Sequence, residues 1–447
     1  MELTKHSPIR TFFRRNGLAL LLTGGLFALM YIIVFNFRAG DSDYIDHLLW
    51  ALAMSPEDIV SSFYDGSERL WHICIKFLFP GHVKNMWAAA GIVTALAEAI
   101  TYFLVYKALE TAISEKFPRW LLALLTLSAF LVNTLALPGQ HLYLGRGNIN
   151  PWHNPTTLMS RPFAAAVFFM TVRIYNRRRY GCHRALTTPD EDGRPFSFSG
   201  GFWAGFREPV YTAAELILYP LCLLFCTYAK PAFLQYFAPA VLIFLLIDVI
   251  RSRGKLLPFC IKLALAYIPA GLILLSQFFS FFDLSSLSSA AGTAGTSTAS
   301  SGYGMAIYFV NSSTESFGDF INALSYAIFG MVNLCAFPLF ILLVDARRSF
   351  RSAACRLGFI GLLVARLEAM LLHETGDRAI HGNFLWGYYM AVWMLWCTAI
   401  GRFVQLWTKT DLTAKIARWG GLLLLLWHLA VGILYIVRIL QTGLYQL

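Results

Sequence analysis

Charged residues are scarce in this chain. They make up 14% of its 447 residues, against about a quarter in an ordinary soluble domain, so no sizeable water-solvated domain can be built from it. It lacks any CxxC pair and any Cys/His spacing of the zinc type, which excludes the common zinc modules. The eight cysteines are scattered, and Cys222, Cys226, Cys260, Cys335 and Cys397 fall inside apolar runs, where a thiol is a packing group. No small-residue cleavage site precedes Asn36-Phe37-Arg38, so the first apolar stretch reads as a retained anchor and not as a removed signal peptide. An internal repeat is also lacking, which counts against an inverted-repeat transporter. The net charge of +11 invites nucleic acid as a partner. The basic residues, however, are dispersed over alternate loops, where they act as topology signals and contacts to anionic lipid, and nucleic acid is excluded.

What the chain has instead is apolar length. Hydrophobic residues make up 57% of it. Runs of about 20 apolar residues, enough for a helix to cross a bilayer, recur at 17–36, 88–109, 120–137, 157–176, 210–229, 234–250, 257–279, 320–344, 356–373, 383–405 and 419–440. The pattern predicts an all-α polytopic membrane protein with about eleven transmembrane helices in a single domain, 1–447. Lys5, Arg10, Arg14 and Arg15 precede the first span. Alternate loops then carry Lys116 and Arg119; Arg177, Arg178, Arg179, Arg184 and Arg194; Arg251, Arg253 and Lys255; Arg347, Arg348, Arg351 and Arg356; Arg402, Lys409, Lys415 and Arg418. Basic residues stay in the cytoplasm, so the N-terminus is expected inside and the C-terminus outside a plasma membrane of bacterial type.

Four segments on the opposite side are unusually long or polar. The loop 37–87 holds two amphipathic stretches, Tyr44–Met54 and Glu68–Phe79, the second with Leu70, Ile73, Phe77 and Leu78 at helical spacing. Such helices lie in a membrane interface. The loop 139–161 is dense in turn formers, amides and aromatics, and 280–318 contains a Ser/Ala/Gly/Thr stretch, Ser285–Ser301, expected to be flexible. The link 374–383 is short but very polar.

An acidic cluster, Asp41-Ser42-Asp43-Tyr44-Ile45-Asp46-His47, follows the first span directly. Carboxylates held at the outer membrane surface can do general-base or metal chemistry on a lipid-delivered substrate. The plain alternative is a helix-capping role for Asp43.

A retained first helix, an acidic outer loop with two juxtamembrane helices and a bundle of many spans resemble the GT-C class of integral membrane glycosyltransferases. Asp41-Ser42-Asp43-Tyr44 resembles the D-x-D-Y element of the glycosylphosphatidylinositol mannosyltransferases. It is similar in position to the acidic site of protein O-mannosyltransferases and of the bacterial aminoarabinose transferases. Segments 150–163 and 374–387 look like parts of uncharacterised bacterial multi-spanning proteins. The resemblance implies transfer of a sugar from a polyprenyl-phosphate-type lipid donor to a glycan, lipid or protein acceptor on the outer face, with inversion. It implies Asp41 or Asp43 as general base, Asp43 ahead because it adjoins the tyrosine, with Asp46 in support. Some members of the class use a divalent cation such as Mg or Mn, which two aspartates alone do not specify.

The leaving phosphate needs cations, and the outer-face candidates are Arg146, Arg161, Lys230 and Arg378; each could instead snorkel to lipid headgroups. Glu374, Arg378, His381 and Asn383 would line a sugar or phosphate pocket, or form a self-satisfied turn; His373-Glu374 is no zinc-protease motif, because its second histidine position holds Asp377. Trp152, His153, Asn154 and Trp386 suit carbohydrate, although aromatics are common at membrane interfaces anyway. Within the spans, Glu98, Glu215, Arg366 and Glu368 call for partners, and an Arg366–Glu98 pair is expected. His428 reads as a hydrogen-bonded core histidine. The competing function is a polytopic transporter or lipid flippase, for which Glu98, Glu215 and the span prolines Pro220, Pro239, Pro269 and Pro338 speak. A cysteine placed at position 43 is expected to label from the side opposite the N-terminus; labelling from the cytoplasm would refute the topology.

Overall fold

The computed structural model describes residues 8–39, 42–65, 69–78, 85–111, 113, 117–135, 149–181, 206–281, 305–307, 317–374 and 383–444. The fold is helical. In chain order the helices are α1 Pro8–Asn36, α2 Tyr44–Ala53, α3 Pro56–Asp65, α4 Leu70–Leu78, α5 Met86–Glu110, α6 Arg119–Leu131, α7 Pro155–Tyr180 and α8 Ala213–Ala229. They continue as α9 Ala232–Arg251, α10 Leu257–Leu265, α11 Ile268–Phe281, α12 Phe317–Val344, α13 Ala346–Ser349, α14 Ala353–Leu371, α15 Asn383–Trp407 and α16 Leu412–Thr442. One short antiparallel pairing joins β1, Met305–Ile307, to β2, Leu372–Glu374.

Helix occupies every one of the predicted spans, but not uniformly. Among the described residues five helices are long and apolar enough to cross a membrane: Thr11–Asn36 of α1, α5, α9, Phe384–Trp407 of α15, and α16. The region expected as one straight span at 257–279 is broken into α10 and α11, bent by 56°, and counts as a sixth only if the pair is one crossing. Pro269 causes the break, since it has no N–H for the Leu265 carbonyl and its ring clashes there. The expected span 120–137 stops early: α6 ends at Leu131. Beyond it the backbone turns extended and bonds across the bundle, Asn133 N–H to His428 O and Leu135 N–H to Asn333 O.

Between α1 and α5 the described residues hold three short helices, where two amphipathic stretches were expected. The amphipathic stretches are α2 and α4, and between them Pro56 opens α3, where Ser55 and Asp58 exchange capping bonds. The small helices dock on α5 through aromatics. Tyr44, fully buried, stacks on Phe37 and meets Trp71 edge-on. Trp71 Nε1 donates to Thr94 of α5 at 3.1 Å. His47 Nδ1 and His72 Nε2 close at 2.9 Å between α2 and α4.

At the centre stands α15, 89% buried over its apolar window, with α14, α9, α7, α6, α16 and α12 packed around it. Trp393 and Trp396 are wholly enclosed, while α1 and α16 present most of their apolar surface outward, as lipid-facing helices do. Glu215 is not a mid-span acid. It is the third residue of α8, forms a capping box with Thr212, and is gripped by Arg173 and Arg177 of α7. His428 is the expected core histidine: it bonds the Asn133 carbonyl and packs on Trp396.

Helix α16 can reach the end of α6 only because residue 432 has no side chain. A Cβ there would run into the Leu131 carbonyl oxygen. Gly432→Ala is therefore expected to cost about 1–3 kcal/mol through overpacking, whereas Gly24→Ala, with open space around it, is not. Thermal melting of the two purified variants checks this, and equal melting would contradict it.

Candidate functional site

The geometry at the acidic cluster is set by helix α7. Asn154-Pro155 is an N-cap followed by proline at the first helical position, the combination that starts a helix cleanly. Asn154 Oδ1 accepts from Thr157 N–H at 3.0 Å and from the Thr156 hydroxyl at 3.1 Å. That leaves the amide nitrogen free to face outward, and it donates to Asp43 Oδ2 at 2.8 Å. Asp43 occupies the N-cap position of α2 but makes no side-chain capping bond. Its carboxylate is turned to α7 instead, and Asn154 is its sole hydrogen-bond partner among the described residues. Asp46, in the first turn of α2, is exposed.

Beside Asp43 lies His153, buried, with its ring 5.8 Å from Trp386 on the first turn of α15. Burial pushes the His153 imidazole below the usual histidine range, against the opposing charge of Asp43. Over the same Trp386 ring, at 5.5 Å, lies the ammonium of Lys230. Lys230 ends α8 and is 2% exposed, so it does not snorkel to the surface. Asp43, Asn154, His153, Trp386 and Lys230 thus form one connected set at one end of the bundle. The set combines a carboxylate, an imidazole, an aromatic face and a buried ammonium, groups of the kind that can meet a hydroxyl, a sugar ring and an anion.

Other expected site residues have structural work. Arg161 is engaged inside the fold. Its guanidinium bonds Glu98 Oε2 and Asn150 Oδ1, each at 3.0 Å, and the Ile149 carbonyl at 3.1 Å, and it lies 4.8 Å over the Trp393 ring. With Glu98 at 0% and Arg161 at 2% exposure, the pair is sealed. Asn150 in turn donates to the carbonyls of Ala129 and Val132 at the end of α6. Glu98 therefore pairs with Arg161, and the expected Arg366–Glu98 pair is absent; Arg366 lies instead over the Tyr388 ring at 4.8 Å. Trp152 stacks on Tyr435 of α16 at 5.5 Å and is buried.

Asp41, Arg146, Arg378 and His381 lie outside the described residues, as do Ser285–Ser301. Glu374 ends β2 and Asn383 begins α15. Among the described residues no group of three or more His, Cys, Asp or Glu gathers as a metal site. The grip of Asn154 on Asp43 and the His47–His72 contact escaped the sequence reading; the Asn-Pro start of α7 was the available signal for the first, and no spacing signals the second.

No protein-family model, no curated protein and no solved structure matches this chain.

Removing one partner of a buried ion pair strands the other. Glu98→Ala or Arg161→Ala is expected to cost about 3–5 kcal/mol, and the double variant Glu98→Leu/Arg161→Met, which removes both charges, about half of that or less. Thermal unfolding of the purified proteins decides, and a double variant no more stable than the single ones would contradict the pairing.

Proposed function

We propose that this chain is an integral membrane glycosyltransferase of GT-C type. It moves a sugar from a polyprenyl-phosphate-type lipid donor to a glycan, lipid or protein acceptor at the outer face of a plasma membrane, with inversion. The observation that carries this reading is the orientation of Asp43. An aspartate that merely capped α2 would bond the helix's own amides; this one is held away from them by Asn154. In the reaction Asp43 takes the proton of the acceptor hydroxyl as that oxygen attacks the anomeric carbon. The bond from that carbon to the phosphate oxygen breaks, and the phosphate leaves with the electron pair. A desolvated cation at the mouth of the bundle lowers the cost of that charge, and Lys230 is the described residue for the task. Trp386 offers the sugar a stacking face. Asp41 with Asp43 would hold a divalent cation, Mg or Mn, if the reaction uses one.

The topology fits the same reading. With the N-terminus inside, a crossing by α1 would put Asp43 outside. Trp386 and Arg402 lie sixteen residues apart on α15, about 24 Å, so the Lys230 set and the cluster of Asp345, Arg348 and Arg402 occupy opposite ends of the bundle. This is the asymmetry that basic inner loops require.

The alternative, a transporter or lipid flippase, is favoured by one specific feature: the bent pair α10–α11, since transporters use broken helices. Against it, Tyr267 at the break bonds the Tyr219 hydroxyl of α8 at 2.9 Å, and the mid-span acid Glu98 is neutralised by Arg161.

Asp43→Asn keeps the shape and removes the base. In membranes containing normal amounts of protein, sugar transfer from a polyprenyl-phosphate-linked donor is expected to fall by about 100-fold or more. If Asp43→Asn and Asp41→Asn both leave transfer intact, the base assignment is wrong; if wild type moves lipid across vesicles and transfers no sugar, the transporter reading replaces it.

A further inference from the structure

Arg366 is a cation within an apolar run. It lies on α14, five residues before the helix ends at Leu371. Among the described residues it forms no ion pair. Its Nε is buried with no hydrogen-bond partner, and its contact is the Tyr388 ring, 4.8 Å from Cζ. The Tyr388 hydroxyl is itself buried, the residue 1% exposed, and has no hydrogen-bond partner. An arginine within an apolar run calls for a counter-charge.

The surroundings say where that anion comes from. Helices α12 and α14 both pack along α15 but barely touch each other. They form two walls over a floor of α15. The outer half of α12 is swung by a kink at Cys335, whose backbone is non-helical, three residues before Pro338. Phe329 on one wall, and Leu363 and Leu367 on the other, are apolar and exposed. Gly330 leaves the space into which the guanidinium reaches, with Nη2 3.9 Å from where a side chain would begin. The groove is thus apolar along its walls, with the cation of Arg366 at one point between them. Trp386 and Tyr388 are two residues apart on α15 and point to roughly opposite faces. The groove is therefore separated by α15 from the Asp43 and Lys230 set.

We propose that the α12–α14 groove binds a phosphate-bearing lipid of the outer leaflet, its chains along the exposed apolar walls and its phosphate on Arg366. The guanidinium gives a phosphate a charged, forked donor, and the lipid chains lie against apolar surface that is exposed among the described residues. This site needs no sugar transfer, so it stands or falls apart from the role of Asp43.

The test is native mass spectrometry of the full-length protein released from detergent, titrated with phosphatidylglycerol, with a diacylglycerol of the same chains, and with a polyprenyl phosphate. Wild type is expected to retain one phosphatidylglycerol under activation and not the diacylglycerol. Arg366→Gln should lower that occupancy about tenfold or more, and Arg366→Lys should restore part of it. Gly330→Leu fills the space beside the guanidinium without touching the charge and should also lower it, with melting of each variant as the folding control. Displacement of phosphatidylglycerol by the polyprenyl phosphate assigns the groove to a lipid carrier, and failure to displace it assigns the groove to bulk phospholipid; both place a phosphate on Arg366. Retained phosphatidylglycerol in folded Arg366→Gln and Gly330→Leu, or equal retention of the diacylglycerol, overturns the proposal.

Discussion

The buried Glu98–Arg161 ion pair is the constraint on which the rest of the arrangement depends. It joins α5 to α7 inside the bundle, where a charge without a partner would be very costly. Because the same guanidinium also holds Asn150 and the Ile149 carbonyl, the pair fixes more than two helices. It fixes the polar turn that leads into α7, and through Asn150 it fixes that turn on the end of α6. The cation–π contact with Trp393 adds the central helix α15 to the knot. One arginine therefore sets the relative positions of four helices.

The candidate site hangs from this knot. Seven residues separate Asn154 from Arg161, two turns of α7, so the cap and the ion pair are rigidly linked. The cap directs one amide oxygen into the helix and the amide nitrogen toward Asp43. On the other side, α2 is held to α5 by Tyr44, Trp71 and Thr94. Asp43 thus sits at the junction of two independently anchored elements, and its rotamer is a consequence of both. A general base needs that kind of fixed placement, and a loop aspartate in solvent would not have it. The central helix then divides the molecule: Trp386 faces His153 and Lys230, and Tyr388 faces Arg366.

Much of the architecture was legible in the residues because apolar length and basic loops are properties of segments. Each predicted span holds a helix, and α2 and α4 fall where amphipathic spacing put them. What escaped was pairing. Residue type marks Glu98 as needing a cation, but nothing local distinguishes Arg366 from Arg161, since both lie within apolar runs and the choice is made by helix packing. Glu215 looked intramembrane because hydropathy averages over a window; its neighbour Thr212 makes it a cap. The break at Pro269 and the third small helix at Pro56 were both announced by prolines, and an apolar window smooths over them. Trp152 and His153, adjacent in sequence, part company in the fold: one goes into the core against Tyr435, the other toward Asp43 and Trp386.

The most direct measurement is an experimental structure of the protein in a lipid nanodisc containing a polyprenyl-phosphate-linked sugar. The account predicts density for the headgroup at the Asn154 end of the bundle, with the phosphate in contact with Lys230, the sugar against Trp386, and the anomeric carbon on the side facing Asp43. A sealed, lipid-free acidic loop, together with a continuous polar path through the bundle past Glu98, would contradict it.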